Sequence, residues 1–318
     1  PRECAFSLHN IKRVEGHVLS ARFLISAWAS KRAPHMVTSG RLPKQLALLR
    51  AKVASSILRV LRIEGSSMIK ITKFGGSSVS SAGQFKKVKA IVQADPSRRF
   101  VVVSAAGKRD KFDSKITDLL YLVNAHLQYH VTCDDLLGTI GQRFCEIAKE
   151  LNLSYPISQE FGIFRELAKR GEYTPEYIVS RGEYFTGRMM AEYLGFPFVD
   201  AADVITFRPD SSIDMEKTAE KLKAAIGEEK CFVLPGFYGA TEDGKIKLLD
   251  RGGGDITGAI VAQCLGADLY ENWTDVSGFL TADPRIVDNP KSISRITYAE
   301  LRELSYMGAS VLHEEAIF

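Results

Sequence analysis

The chain has 318 residues, 45% of them apolar, a formal charge of +4 and five cysteines. That length holds one large α/β domain or two ordinary ones around a substantial core, which excludes disorder as the default state. Cys4, Cys133, Cys145, Cys231 and Cys264 form no CxxC pair and have no histidine cluster beside them, which leaves neither a disulfide framework nor a zinc site and fits a reducing compartment.

The charge is unevenly spread. Residues 1–67 hold 12 Lys/Arg against 3 Glu, leaving 30 basic and 35 acidic residues from Met68 onward. An acidic body without a basic stripe of interleaved aromatics argues against a nucleic-acid partner. Apolar runs such as Phe100–Ala106 and Cys231–Pro235 fall short of the ~18 residues a membrane span needs and read as buried strands, so no membrane partner is expected.

In chain order, residues 1–67 are rich in Arg and Ser and poor in acids, with a basic amphipathic helix predicted at Pro43–Ile63 through Leu46, Leu49, Val53, Ile57 and Val60. With Met68 placed as a natural start after Gly65–Ser66–Ser67, this reads as a disordered or foreign extension ahead of a cytoplasmic domain at 68–318. The alternative is a transit peptide, whose composition it shares and which would direct the chain to a plastid.

From Met68 a strand is predicted at Ile69–Phe74, then a Gly/Ser loop at Gly75–Ser81, then a helix with Phe85, Val88, Ile91 and Val92 on one face. Asp95–Pro96 closes that helix, and the nearly all-apolar Phe100–Ser104 is the pattern of a parallel strand covered on both faces. Helices are predicted from about Lys115 to Leu194. Short strands follow near Phe198–Asp200, Cys231–Pro235, Lys245–Leu248 and Leu269–Asn272, with helices at Met215–Ile226 and Ile256–Leu265. The alternation predicts an α/β fold, a three-layer αβα sandwich with a mainly parallel central sheet.

Three turns after apolar runs carry candidate chemistry. KFGGSS, Lys73–Ser78, offers backbone N–H groups and a lysine to phosphate, although a Gly-Gly turn also serves plain turn chemistry. It matches neither GxxxxGK[ST] nor GxGxxG. RGGGD, Arg251–Asp255, sets a carboxylate-clamping Arg and a metal-holding or nucleophile-orienting Asp around three glycines, with a helix N-cap beside a surface ion pair as the alternative. WTDVSGFLTADPR, Trp273–Arg285, follows a strand end, where ligands of open α/β sheets gather; Trp273 lines a nucleotide pocket or belongs to the core. Ser104 with its AAGK turn, Thr117 and SRGE at Ser180–Glu183 are weaker candidates. His9, His17, His35, His126 and His130 cluster with no nucleophile.

These segments, in the order KFGGSSV, VVVSAAGK, SRGE, FVDAAD, PGFYG, RGGGD, WTDVSGFLTADPR and GASVLH, resemble the motifs of the aspartate kinases over Ile69 to His313. The resemblance implies the amino-acid kinase fold, ATP and Mg²⁺ as cofactors with the metal arriving on ATP, and L-aspartate as the acceptor. It implies formation of 4-phospho-L-aspartate on the route to lysine, threonine and methionine, by a homo-oligomer.

Carried over by position, it assigns Lys73 and Asp255 to catalysis. It assigns Lys73, Phe74, Gly75, Gly76, Ser77, Trp273, Thr274, Asp275, Phe279 and Arg285 to ATP. Aspartate falls to Ser104, Thr117, Glu183 through its ammonium, Arg251 through its α-carboxylate, and Gly252, Gly253 and Gly254. The chain departs from the family at Asp250, commonly Gly, at Gly254, usually Ser, and at Ser310 and Glu314, usually Lys and Pro. The last kinase-domain strand and paired regulatory ACT domains are expected beyond Phe318. The rival readings are a kinase of glutamate, acetylglutamate or a nucleotide, and a truncated nucleotide-binding pseudo-enzyme.

Overall fold

The computed structural model describes residues 4–9, as a strand, and 68–227, 230–250 and 252–274, with scattered positions up to 303. The chain divides into two units, Pro1–Leu8 with Ile69–Phe318, and His9–Met68. The helix predicted at 43–63, Ser310 and Glu314 lie outside the described residues.

Five strands make the central sheet: β1 (Cys4–His9), β2 (Lys70–Phe74), β3 (Phe100–Val103), β5 (Phe232–Pro235) and β8 (Leu269–Thr274), in the order β1-β8-β2-β3-β5. The pairings β2–β8, β2–β3 and β3–β5 are all parallel. Composition gave no reason to expect β1.

Side chains alternate across β2, β3, β5 and β8, and both faces of these strands are buried. Phe74, Val101, Val103, Val233 and Trp273 point to one face. They pack on α1 (Ala82–Gln93), α2 (Ile116–Gln128), α3 (Asp134–Leu151), α4 (Ile157–Lys169) and α5 (Pro175–Leu194). Ile71, Phe100, Val102, Phe232 and Leu234 point to the other, against α6 (Ala201–Val204), α7 (Met215–Ala225) and α8 (Gly253–Leu265). The fold is the three-layer αβα sandwich that the alternation predicted.

Local signals account for the element ends. The Ser81 hydroxyl accepts from the Gln84 N–H at the start of α1, and Thr174 caps α5 ahead of Pro175. The strand predicted at 198–200 is reduced to a single bridge between Phe198 and Val233, because the Asp200 carboxylate turns to cap α6 through the Ala202 N–H. A small second sheet was not anticipated. Its β4 (Thr206–Phe207) and β6 (Tyr238–Thr241) are parallel, and β6 runs antiparallel to β7 (Ile246–Leu248). Among the described residues no helix is long and apolar enough to cross a membrane.

The chain fills the sheet outward from β2 through β3 to β5, then returns to the other side of β2 as β8. The order reverses at β2, and an open α/β sheet carries its ligand crevice at such a point, outside the strand C-termini.

Candidate active site

Lys73 is the fourth residue of β2 and Asp255 the third of α8. Strand register puts Lys73 on the face that α8 covers, and the Lys73 ammonium lies 2.5 Å from Asp255 Oδ1. Lys73 is only 8% exposed. The Asp255 carboxylate, in the first turn of its helix, is favoured by the helix dipole as well as by the lysine.

Glycines bring the surrounding backbone close. The Gly75 N–H donates to the Trp273 carbonyl at 3.1 Å, tying the phosphate-type loop to the end of β8. The Gly107 N–H donates to the Gly76 carbonyl at 2.8 Å, and a Cβ on Gly107 would lie 2.5 Å from the Gly76 carbonyl carbon. A Cβ on Gly254 would meet Ser104 Oγ at 2.8 Å and Lys73 Cε at 3.3 Å. Lys73, Gly75, Gly76, Ser104, Gly254 and Asp255 therefore share one corner at the C-terminal ends of β2 and β3.

The loop after β3 joins this corner to a second group. The Ile116 N–H donates to the Ala106 carbonyl, which seats the first turn of α2, and with it Thr117, beside the loop. Glu183, in the middle of α5, is 4% exposed, and its Oε2 has no partner. Burial pushes its carboxyl up to about 8, against a backbone hydrogen bond from Ala105 and the Arg181 charge, which offset part of the rise. Arg181 of the same SRGE segment faces elsewhere, its guanidinium 4.2 and 4.3 Å from the ring centres of Tyr177 and Tyr184.

Other expected positions divide. Phe74 and Trp273 are buried on the opposite face with ring centroids 6.1 Å apart. The Trp273 indole N–H donates to Glu271, so both residues serve the corner through backbone only. Ser77 lies in the short 3₁₀ turn Gly76–Val79, Thr274 ends β8, and Gly252, at φ +83°, and Gly253 open α8. Arg251, Asp275, Phe279 and Arg285 lie outside the described residues.

Two further residues hold this corner without any motif that marks them. Arg143 on α3 is buried and donates to the carbonyls of Gly107 at 2.5 Å and Ser114 at 2.6 Å, clamping both ends of the loop. A guanidinium on the apolar stripe of Leu137, Ile140 and Phe144 was the available signal. Asn272 donates from Nδ2 to Asp255 Oδ1 at 3.2 Å. A polar residue in the middle of a buried strand was its signal.

A switch-point crevice walled by glycine turns, with the largely buried Lys73–Asp255 pair beside them, is an α/β site suited to an anionic ligand. Residues 68–318 match the amino acid kinase family, and the chain belongs to it. It is 36% identical to aspartokinase 3 of Bacillus subtilis over 262 residues, covering 78% of this chain and 58% of that protein. Among solved structures it is similar to the aspartate kinase of Clostridium acetobutylicum, with TM-score 0.73, 49% identity, and 79% of this chain and 57% of that one covered. It is similar too to E. coli aspartokinase III in complex with aspartate and ADP, with TM-score 0.68, 27% identity, and 79% and 59% covered. The chain thus spans a little over half the length of these relatives.

Proposed function

We propose that the domain transfers the γ-phosphoryl group of ATP to the β-carboxylate of L-aspartate, giving 4-phospho-L-aspartate and ADP. The observation that carries this reading is the largely buried Lys73–Asp255 pair at the C-terminal end of β2, walled by Gly75, Gly76 and Gly254. The E. coli neighbour is a complex with aspartate and ADP, which supports this choice of ligands.

In this reaction a carboxylate oxygen attacks the γ-phosphorus, the new O–P bond forms as the bond to the β,γ-bridging oxygen breaks, and the electron pair leaves with ADP. A carboxylate needs no general base. Lys73 neutralises charge on the transferring group, Asp255 holds its ammonium in line, and loop N–H groups around Gly75 and Gly76 cradle phosphate. Ser104, Thr117 and Glu183 flank the acceptor, and the unpartnered Oε2 of Glu183 suits an arriving ammonium. Glu183 surrenders its proton as that ammonium binds.

Mg²⁺ would supply charge neutralisation on the phosphate oxygens when bound with the nucleotide. The Asp255 carboxylate and the buried carboxamide oxygen of Asn272, which has no protein partner, are the hard oxygen donors that fit it. Trp273, Phe74 and Ser77 then serve ATP through the backbone around Gly75. The reading extends to a cytoplasmic homo-oligomer, testable by cell fractionation and light scattering.

Screening Mg·ATP-dependent ADP release against aspartate, glutamate, acetylglutamate and UMP tests the substrate. Release with aspartate alone supports it; release only with another acceptor overturns it.

A further inference from the structure

Asn272 stands on β8 directly opposite Lys73 on β2, so the two side chains emerge side by side on the face covered by α8. Both reach Asp255 Oδ1, Lys73 at 2.5 Å and Asn272 Nδ2 at 3.2 Å. Two residues earlier on the same face, the Tyr270 hydroxyl donates to the Asp255 backbone carbonyl at 3.3 Å and presses on Gly258, where a Cβ would lie 2.6 Å from that oxygen. β8 thus grips Asp255 at both its main chain and its side chain.

Asn272 is 4% exposed, and its own Oδ1 has no partner. A buried amide oxygen left unpaired costs about 1–3 kcal/mol. Packing alone would be better served there by an apolar residue, as Ile71 serves on the neighbouring strand. The orphaned oxygen is accounted for if its partner arrives with the substrates.

We propose that Asn272 is a positioning residue: its amide fixes the Asp255 carboxylate toward Lys73, and its free oxygen completes the oxygen face that receives the Mg²⁺-bound nucleotide. This rests on the phosphotransfer reading above.

The test uses the full chain and the variants Asn272→Leu, which removes both polar atoms at similar volume, and Asn272→Asp, which keeps an oxygen and loses the donor. Calorimetric titration with ADP, with and without Mg²⁺, needs no turnover. Asn272→Leu is expected to keep its melting temperature and to lose about 10-fold of the affinity that Mg²⁺ adds to ADP, and Asn272→Asp to keep most of it. In steady state both lower kcat about 10–100-fold, with KM for the amino-acid acceptor within about threefold.

An unchanged Mg²⁺ gain with kcat within twofold of wild type in Asn272→Leu overturns the proposal. So does a fall in kcat that merely follows a fall in melting temperature. If Asn272→Leu does not fold, the kcat-against-KM split in Asn272→Asp decides. Should the wild type turn over no aspartate, the functional reading fails, while the ADP titrations still decide the role of Asn272.

Discussion

The Lys73 ammonium and the Asp255 carboxylate meet at 2.5 Å across the seam between β2 and the first turn of α8, both largely shielded from water. Neither is placed by its own element alone. Lys73 needs the strand register that turns it toward α8, and Asp255 needs the glycine turn that lets α8 begin so close to Ser104 and Lys73.

Lys73→Met should abolish turnover while leaving the fold. A removed transition-state cation costs roughly 10²–10³ in kcat or more. The stranded Asp255 charge should lower stability by about 3 kcal/mol. Circular dichroism and urea unfolding, beside ADP release, separate the two effects.

Gly107→Ala drives a Cβ to 2.5 Å from the Gly76 carbonyl carbon and 2.7 Å from its oxygen. Backbone cannot rotate away as a side chain can, so a loss of about 3 kcal/mol with a fall in nucleotide affinity is expected. Gly138→Ala, inside α3 with nothing within 4 Å of the new Cβ, should instead raise stability by about 0.5–1 kcal/mol. Chemical denaturation of both variants checks the contrast.

Arg143→Lys keeps the charge and loses the planar fork that reaches the Gly107 and Ser114 carbonyls together. It should raise KM for the acceptor several-fold by loosening the loop that carries Ser104, and amide exchange at 104–108 should quicken.

Glu183 gives a pH signature. Its folded carboxyl is raised to about 8, against about 4.3 in an unfolded chain. The native state therefore holds the proton more tightly. Its contribution to stability is full below about pH 4 and is lost progressively as pH rises toward 8. Melting temperature against pH should fall across that window in the wild type and flatten in Glu183→Gln.

The layered fold was legible because its signals are local: all-apolar runs such as Phe100–Val103 and amphipathic helices such as 134–151 declare their partners by period alone. The two-residue β4 is too short to show any period. The 198–200 segment read as a strand, but Asp200 found a helix N-terminus and Phe198 a single bridge. In the site, the residues that glycine motifs flag were visible. Asn272 and Arg143 were not, because their roles depend on strand register and on loop carbonyls 29 and 36 positions away in sequence, neither of which a spacing rule encodes.

Lys73 and Asp255 are proposed to serve transfer of phosphate onto an aspartate carboxylate. Trapping the product with hydroxylamine reads that bond directly. With Mg·ATP and aspartate, the wild type should yield β-aspartyl hydroxamate equal to the ADP released, and Lys73→Met should yield none. ADP release without hydroxamate, or equal hydroxamate from Lys73→Met, would contradict it.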